Sequence, residues 1–70
     1  MKIQKIIVGK VKPFNSGYCY NLYAVFDNKG KFLYFQYDKV ITCFIDDIID
    51  SKAGLFGCDK EQLRKIEKLN

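Results

Sequence analysis

Hydrophobic and polar positions along this chain alternate in short stretches, and the places where alternation fails carry as much information as the places where it holds. The first dozen residues set Ile3, Ile6, Ile7, Val8 and Val11 among lysines. A β-branched run of this kind predicts a first strand over about residues 2–12. Strict alternation puts Ile6 and Val8 on one face and Ile3, Ile7 and Val11 on the other. The single proline, Pro13, begins a Pro/Phe/Asn/Ser/Gly stretch that reads as a loop ending this strand.

Residues 17–27 and 31–38 are rich in Tyr, Phe, Leu and Val, and Asp27, Asn28, Lys29 and Gly30 lie between them. This pattern predicts a hairpin, with Gly30 at the left-handed position of a three-residue loop closed by a bulge. The implied register sets Phe26 against Phe32, Ala24 against Tyr34 and Leu22 against Gln36. On the other face it sets Val25 against Leu33, Tyr23 against Phe35 and Asn21 against Tyr37. Aromatic and β-branched pairs across strands stabilise such a sheet. Residues Val40 to Ile45 form a further β-branched segment and predict one more strand. Residues 46–51 could extend it or begin a helical turn, and the periodicity does not decide. Residues 53–57 read as a loop.

The last segment predicts a helix. Asp59 stands at a cap position with Gln62 three residues on, the spacing of a capping box. Cys58 and Leu63 flank it as a hydrophobic staple would, and Leu63, Ile66 and Leu69 form its apolar stripe. The expected fold is therefore α+β: a small antiparallel sheet of three or four strands with the C-terminal helix packed on one face, all in a single small binding domain over residues 1–70.

Size and composition narrow the function. At 70 residues the chain has a thin stability margin and would ordinarily need a staple, a metal or a partner. Three scattered cysteines, Cys19, Cys43 and Cys58, and no histidine cannot build a structural zinc site alone. They are expected as free, buried, apolar thiols in a reducing cytoplasm. No signal-like apolar stretch and no membrane-length run is present, so the chain is read as a cytoplasmic protein without a membrane partner. Catalysis needs a nucleophile with a base, paired acids or a metal. The usual base is missing and no nucleophile or phosphate-loop motif occurs, so the chain is expected to be no enzyme and to need no cofactor.

Charge and aromatics point to binding. The net charge is +4, from 12 basic and 8 acidic residues, and Arg64 is the sole arginine. Lysine attracts phosphate as a point charge, whereas arginine is the usual reader of base edges. Lys2, Lys5, Lys10 and Lys12 form an acid-free basic end suited to a polyanion. Asp46, Asp47 and Asp50 are either a solvated face or an acidic contact patch for a basic partner. Eleven residues are Phe or Tyr, and eight of them lie between positions 18 and 37. One short helix cannot cover both faces of a sheet that is apolar on both. The uncovered face calls for a partner protein, nucleic acid or a second copy in a homodimer.

Tyr18, Tyr20, Tyr23, Tyr34 and Tyr37, with Leu55 and Phe56, are the candidate contact residues, because tyrosine combines broad area with a polar tip. A protein target held by a small non-catalytic inhibitor or regulator, in the manner of many phage or mobile-element proteins, is the leading expectation. A basic-aromatic nucleic-acid-binding module and a structural oligomerisation unit are the alternatives.

Overall fold

A computed structural model describes residues 3–69. In chain order it contains β1 (Gln4–Lys12), β2 (Tyr20–Phe26), β3 (Phe32–Tyr37), β4 (Ile41–Cys43), α1 (Ile45–Asp50), β5 (Gly54–Phe56) and α2 (Lys60–Glu67). The strands form one antiparallel sheet of five in the order β4-β3-β2-β1-β5. The expected three or four strands become five because Gly54–Phe56, read from sequence as loop, pairs with Lys10–Lys12 of β1. Three residues are too few to show a period, so only the neighbouring strand makes this segment a strand. The strand expected over Val40 to Ile45 stops at Cys43, and Ile45 already begins α1.

The hairpin loop closes as its composition dictates. The Gly30 N–H donates to the Asp27 carbonyl at 3.1 Å, the Asp27 N–H donates to the Lys31 carbonyl at 2.9 Å, and Gly30 takes φ +83°. The Asp27 carboxylate accepts from the backbone N–H groups of Lys29 and Lys31 at 2.8 and 2.9 Å. Those bonds, Lys31 foremost, hold its pKa below the ordinary value.

The register then departs from strict alternation. Phe26 does face Phe32, but a bulge follows, so that Val25 faces Tyr34, Ala24 faces Phe35 and Tyr23 faces Gln36. The extra residue, Leu33, inverts the rest of β3. Without it Tyr34 and Gln36 would point to the core; with it Phe35 does, and Phe35 is fully buried. Phe32 and Phe35, three apart, then share one side, with ring centroids 4.8 Å apart.

A second bulge lies in β1. Ile7 pairs with Tyr23 and Gly9 with Leu22, leaving Val8 over. This puts Val11 on the same side as Ile6 and Val8, where alternation had predicted the opposite. It also turns Lys5 and Ile7 onto the side that carries Lys10.

Both helices lie on one side of the sheet. Leu22, Ala24, Phe26, Phe32 and Phe35 share a buried cluster with Ile45 and Ile48 of α1 and Leu63 of α2. The predicted cap of α2 is present. The Gln62 N–H donates to the Asp59 carboxylate at 2.8 Å, and the Asp59 N–H donates to the Gln62 side chain at 3.1 Å. Leu63 is fully buried, as the stripe requires, but α2 ends at Glu67 and Leu69 is exposed. Leu69 ties down through its backbone instead, its carbonyl accepting the Phe32 N–H at 3.1 Å. The Glu67 carboxylate accepts the Ile45 N–H at the start of α1, which couples the two helices.

Candidate functional site

Residues paired across an antiparallel sheet share a face, so the register assigns every strand position to the helix side or to the helix-free side. The helix-free side carries, row by row, Lys12 with Gly54; Phe56, Lys10 and Asn21; Ile7, Tyr23, Gln36 and Thr42; and Lys5, Val25 and Tyr34. Three of these positions are lysines and none is an acid. Every acidic residue sits in a turn, on a helix or at a helix cap: Asp27, Asp38, Asp46, Asp47, Asp50, Asp59, Glu61 and Glu67. Asp38, in the turn after β3, nonetheless borders this face beside Asn21 and Tyr23.

This face also exposes apolar surface. Ile7 is 60% exposed and Phe56 51%, while Tyr23, Tyr34 and Gln36 are half-buried. Val25 is fully buried between the Lys5 and Tyr34 rows, outside the main core cluster. Long side chains standing on either side of a central β2 residue suffice to seal it.

The sequence-predicted residues divide. Tyr23, Tyr34 and Phe56 come together on the helix-free face with Lys5, Lys10 and Lys12. Tyr20 and Tyr37 do not: they lie on the helix side, packed against the core cluster, with ring centroids 6.2 Å apart. Burial pushes the Tyr37 pKa upward, with Cys43 and Asp38 adding to it. Leu55 pairs with Val11 and packs on the helix side as well. Tyr18 precedes β2 and is 72% exposed, off the sheet. Lys2 lies outside the described residues. Ile7 was the member missed: alternation assigned it to a side, but only the bulge at Val8 shows that this side is the lysine side.

The acids of α1 border different depressions. Asp46 borders a depression with Arg64, Glu67 and Lys68, whereas Asp47 faces Tyr37, Thr42 and Cys43. The Asp47 carboxylate accepts the Phe44 N–H at 2.9 Å and so serves the helix start. Among the described residues no three His, Cys, Asp or Glu side chains converge as a metal site would require.

The three cysteines are free thiols in three environments. Cys43 is buried in the core cluster, and burial, with Asp47 and Glu67 nearby, pushes its pKa up to about 11. Cys58 is half-buried beside β1, and burial, with Asp59 beside it, raises its pKa too. Cys19 is exposed rather than buried as expected, because it stands just ahead of β2. No helix among the described residues is long and apolar enough to cross a membrane. The chain matches no family model, no curated protein and no solved structure.

Proposed function

We propose that this protein is a non-catalytic binding module whose helix-free sheet face takes a protein partner with an acidic, apolar-anchored surface. One observation carries the reading: the strand positions of this face combine the exposed apolar groups Ile7 and Phe56 with Lys5, Lys10 and Lys12 and no acid, Asp38 bordering it only at the β3–β4 turn. Apolar side chains at a contact centre supply affinity, and a rim of one sign selects partners and speeds encounter. A domain this small acts by covering something larger, as an inhibitor or regulator does.

Single-stranded nucleic acid is the second reading, favoured by Tyr23 and Tyr34 standing among three lysines, since bases stack on such rings. Protein ranks first because Ile7 offers no stacking plane, two of the five tyrosines serve the core, and the basic groups are lysines rather than arginines.

The test compares Tyr34→Ala and Phe56→Ala with a Lys5→Gln/Lys10→Gln/Lys12→Gln triple variant. Each is assayed for capture of partner from nuclease-treated lysate of the source organism and for binding of mixed single-stranded oligonucleotides. A protein partner should survive nuclease and be lost in the aromatic variants, by about 2 kcal/mol for a central anchor. The triple variant should mainly alter association rate and salt sensitivity. Tight oligonucleotide binding at physiological salt, abolished in the triple variant, would reverse the ranking.

A further inference from the structure

β1 is covered along only half of its outer edge. Its neighbour on that side, β5, pairs with Lys10, Val11 and Lys12 and goes no further. The chain then bends at Gly57, which takes φ +73°, and Gly57 and Cys58 lie against Gly9 before α2 begins. Among the described residues no strand pairs with the outer edge of Gln4–Val8. Proteins usually guard such an edge with proline, with charge or with a covering loop. Here the open half carries isoleucine toward both faces: Ile6 on the helix side, 50% exposed, and Ile7 on the helix-free side.

Beside this edge, on the helix side, runs a groove between β1 and α2. It is lined by Val8, Gly57, Cys58, Leu63 and Ile66, with Gln62 its polar wall and Lys65 its charged one. On the other side of the open edge stands Lys5, with Lys10 further along the strand where β5 begins to cover it.

We propose that Gln4–Val8 accepts an added antiparallel strand from the partner, an extended segment in which apolar residues alternate with Asp or Glu. This rests on the partner being a protein, and it names how that partner is held. A strand laid on β1 shows alternate side chains to opposite faces. Its apolar set would enter the groove of Val8, Leu63 and Ile66. Its carboxylates would meet Lys5 and Lys10. The unpaired backbone groups of β1 would supply hydrogen bonds that a nucleic acid cannot match along a strand, and this mode reads side-chain pattern through alternate positions. The open stretch, Gln4–Val8, fits about five residues, or about 17 Å of strand. A second copy of β1 suits the edge less well, since it brings its own lysines to an edge bordered by Lys5, Lys10 and Lys65.

The probe is a peptide alternating glutamate with valine, made in two forms: backbone N-methylated at its even or at its odd positions. Methylation of the β1-facing edge blocks strand addition, whereas methylation of the outer edge leaves it intact and keeps the peptide from stacking on itself. One form should bind and the other lose at least roughly tenfold in affinity, because the hydrogen bonds of strand addition come from one peptide edge only. The binding form should slow hydrogen exchange at the Gln4–Val8 amides. Lys5→Glu with Lys10→Glu should weaken it, and a peptide with lysine in place of glutamate should restore binding to that variant. Equal behaviour of the two methylated forms, or no protection at Gln4–Val8 under saturation, would overturn strand addition. Shifts confined to Tyr23, Tyr34 and Phe56 would overturn it while leaving the face reading in place. Concentration-dependent protection of the same amides without peptide would overturn it in favour of a second copy.

Discussion

Replacing Gly9 by alanine tests the close approach of β1 to the segment that links β5 to α2. A Cβ on Gly9 would lie 2.8 Å from Cys58 Cβ and 2.9 Å from the Phe56 carbonyl oxygen, and would also meet Cys58 Sγ. The Cys58 thiol can rotate away. The carbonyl and the Cys58 Cβ cannot move without moving the chain that links β5 to α2. Ordinary van der Waals contact requires roughly another 0.5 Å, and overpacking of this kind costs about 1–3 kcal/mol. We expect about 2 kcal/mol for Gly9→Ala, since two of the three clashes involve groups fixed to the backbone. A chain of this size holds of the order of 4–10 kcal/mol in total, so the loss is a large share. Urea denaturation should show a lower midpoint, and thermal melting should fall by about 10 °C.

Two controls isolate the cause. Gly17→Ala, where an added Cβ meets nothing within 4 Å, should leave stability within about 0.5 kcal/mol. Cys58→Gly should rescue part of the Gly9→Ala loss in a double-mutant cycle, leaving the share due to the Phe56 carbonyl. Gly9→Ala as stable as Gly17→Ala would refute both the β1–β5 register and the placement of Cys58 against β1.

Two further outcomes follow from the register and the thiols. Phe35→Ala should cost about 3–5 kcal/mol and nearly unfold the domain, whereas Tyr34→Ala, next to it but on the helix-free face, should cost far less; equal losses by urea titration would remove the bulge at Leu33. Because the Cys43 pKa is raised to about 11 from 9.0, the unfolded chain loses this proton first as pH rises. The stability that depends on the protonated thiol is therefore complete below about pH 9 and lost by about pH 11, on the order of 1–2 kcal/mol after allowance for solvent screening. A Cys43→Ala variant with the same alkaline slope as the parent protein would contradict this.

Local chemistry determined much of this protein from the sequence alone. The Asp27 to Gly30 loop, the Asp59–Gln62 capping box and the β character of residues 4–12, 20–26 and 32–37 follow from residues next to one another, because turns, caps and propensities are short-range. The concentration of lysine at the N-terminal end and of aromatics in the middle was equally legible, and with it the expectation of a binding surface. The faces were not.

A period of two, once broken by a bulge, sends every later side chain to the opposite side; Gly9 inside the first strand is a local mark of the bulge at Val8, but none marks Leu33. Each bulge settles where the whole core packs best: the one at Leu33 buries Phe35 in place of Tyr34, and the one at Val8 brings Val8 and Val11 inward together. As a consequence Tyr20, Tyr37 and Leu55 leave the candidate surface, while Lys5 and Ile7 join Lys10, Tyr23 and Phe56 on it. The pairing of Gly54–Phe56 with β1, and the edge it leaves open at Gln4–Val8, are likewise tertiary facts. They exist only because strands more than forty residues apart in the chain meet.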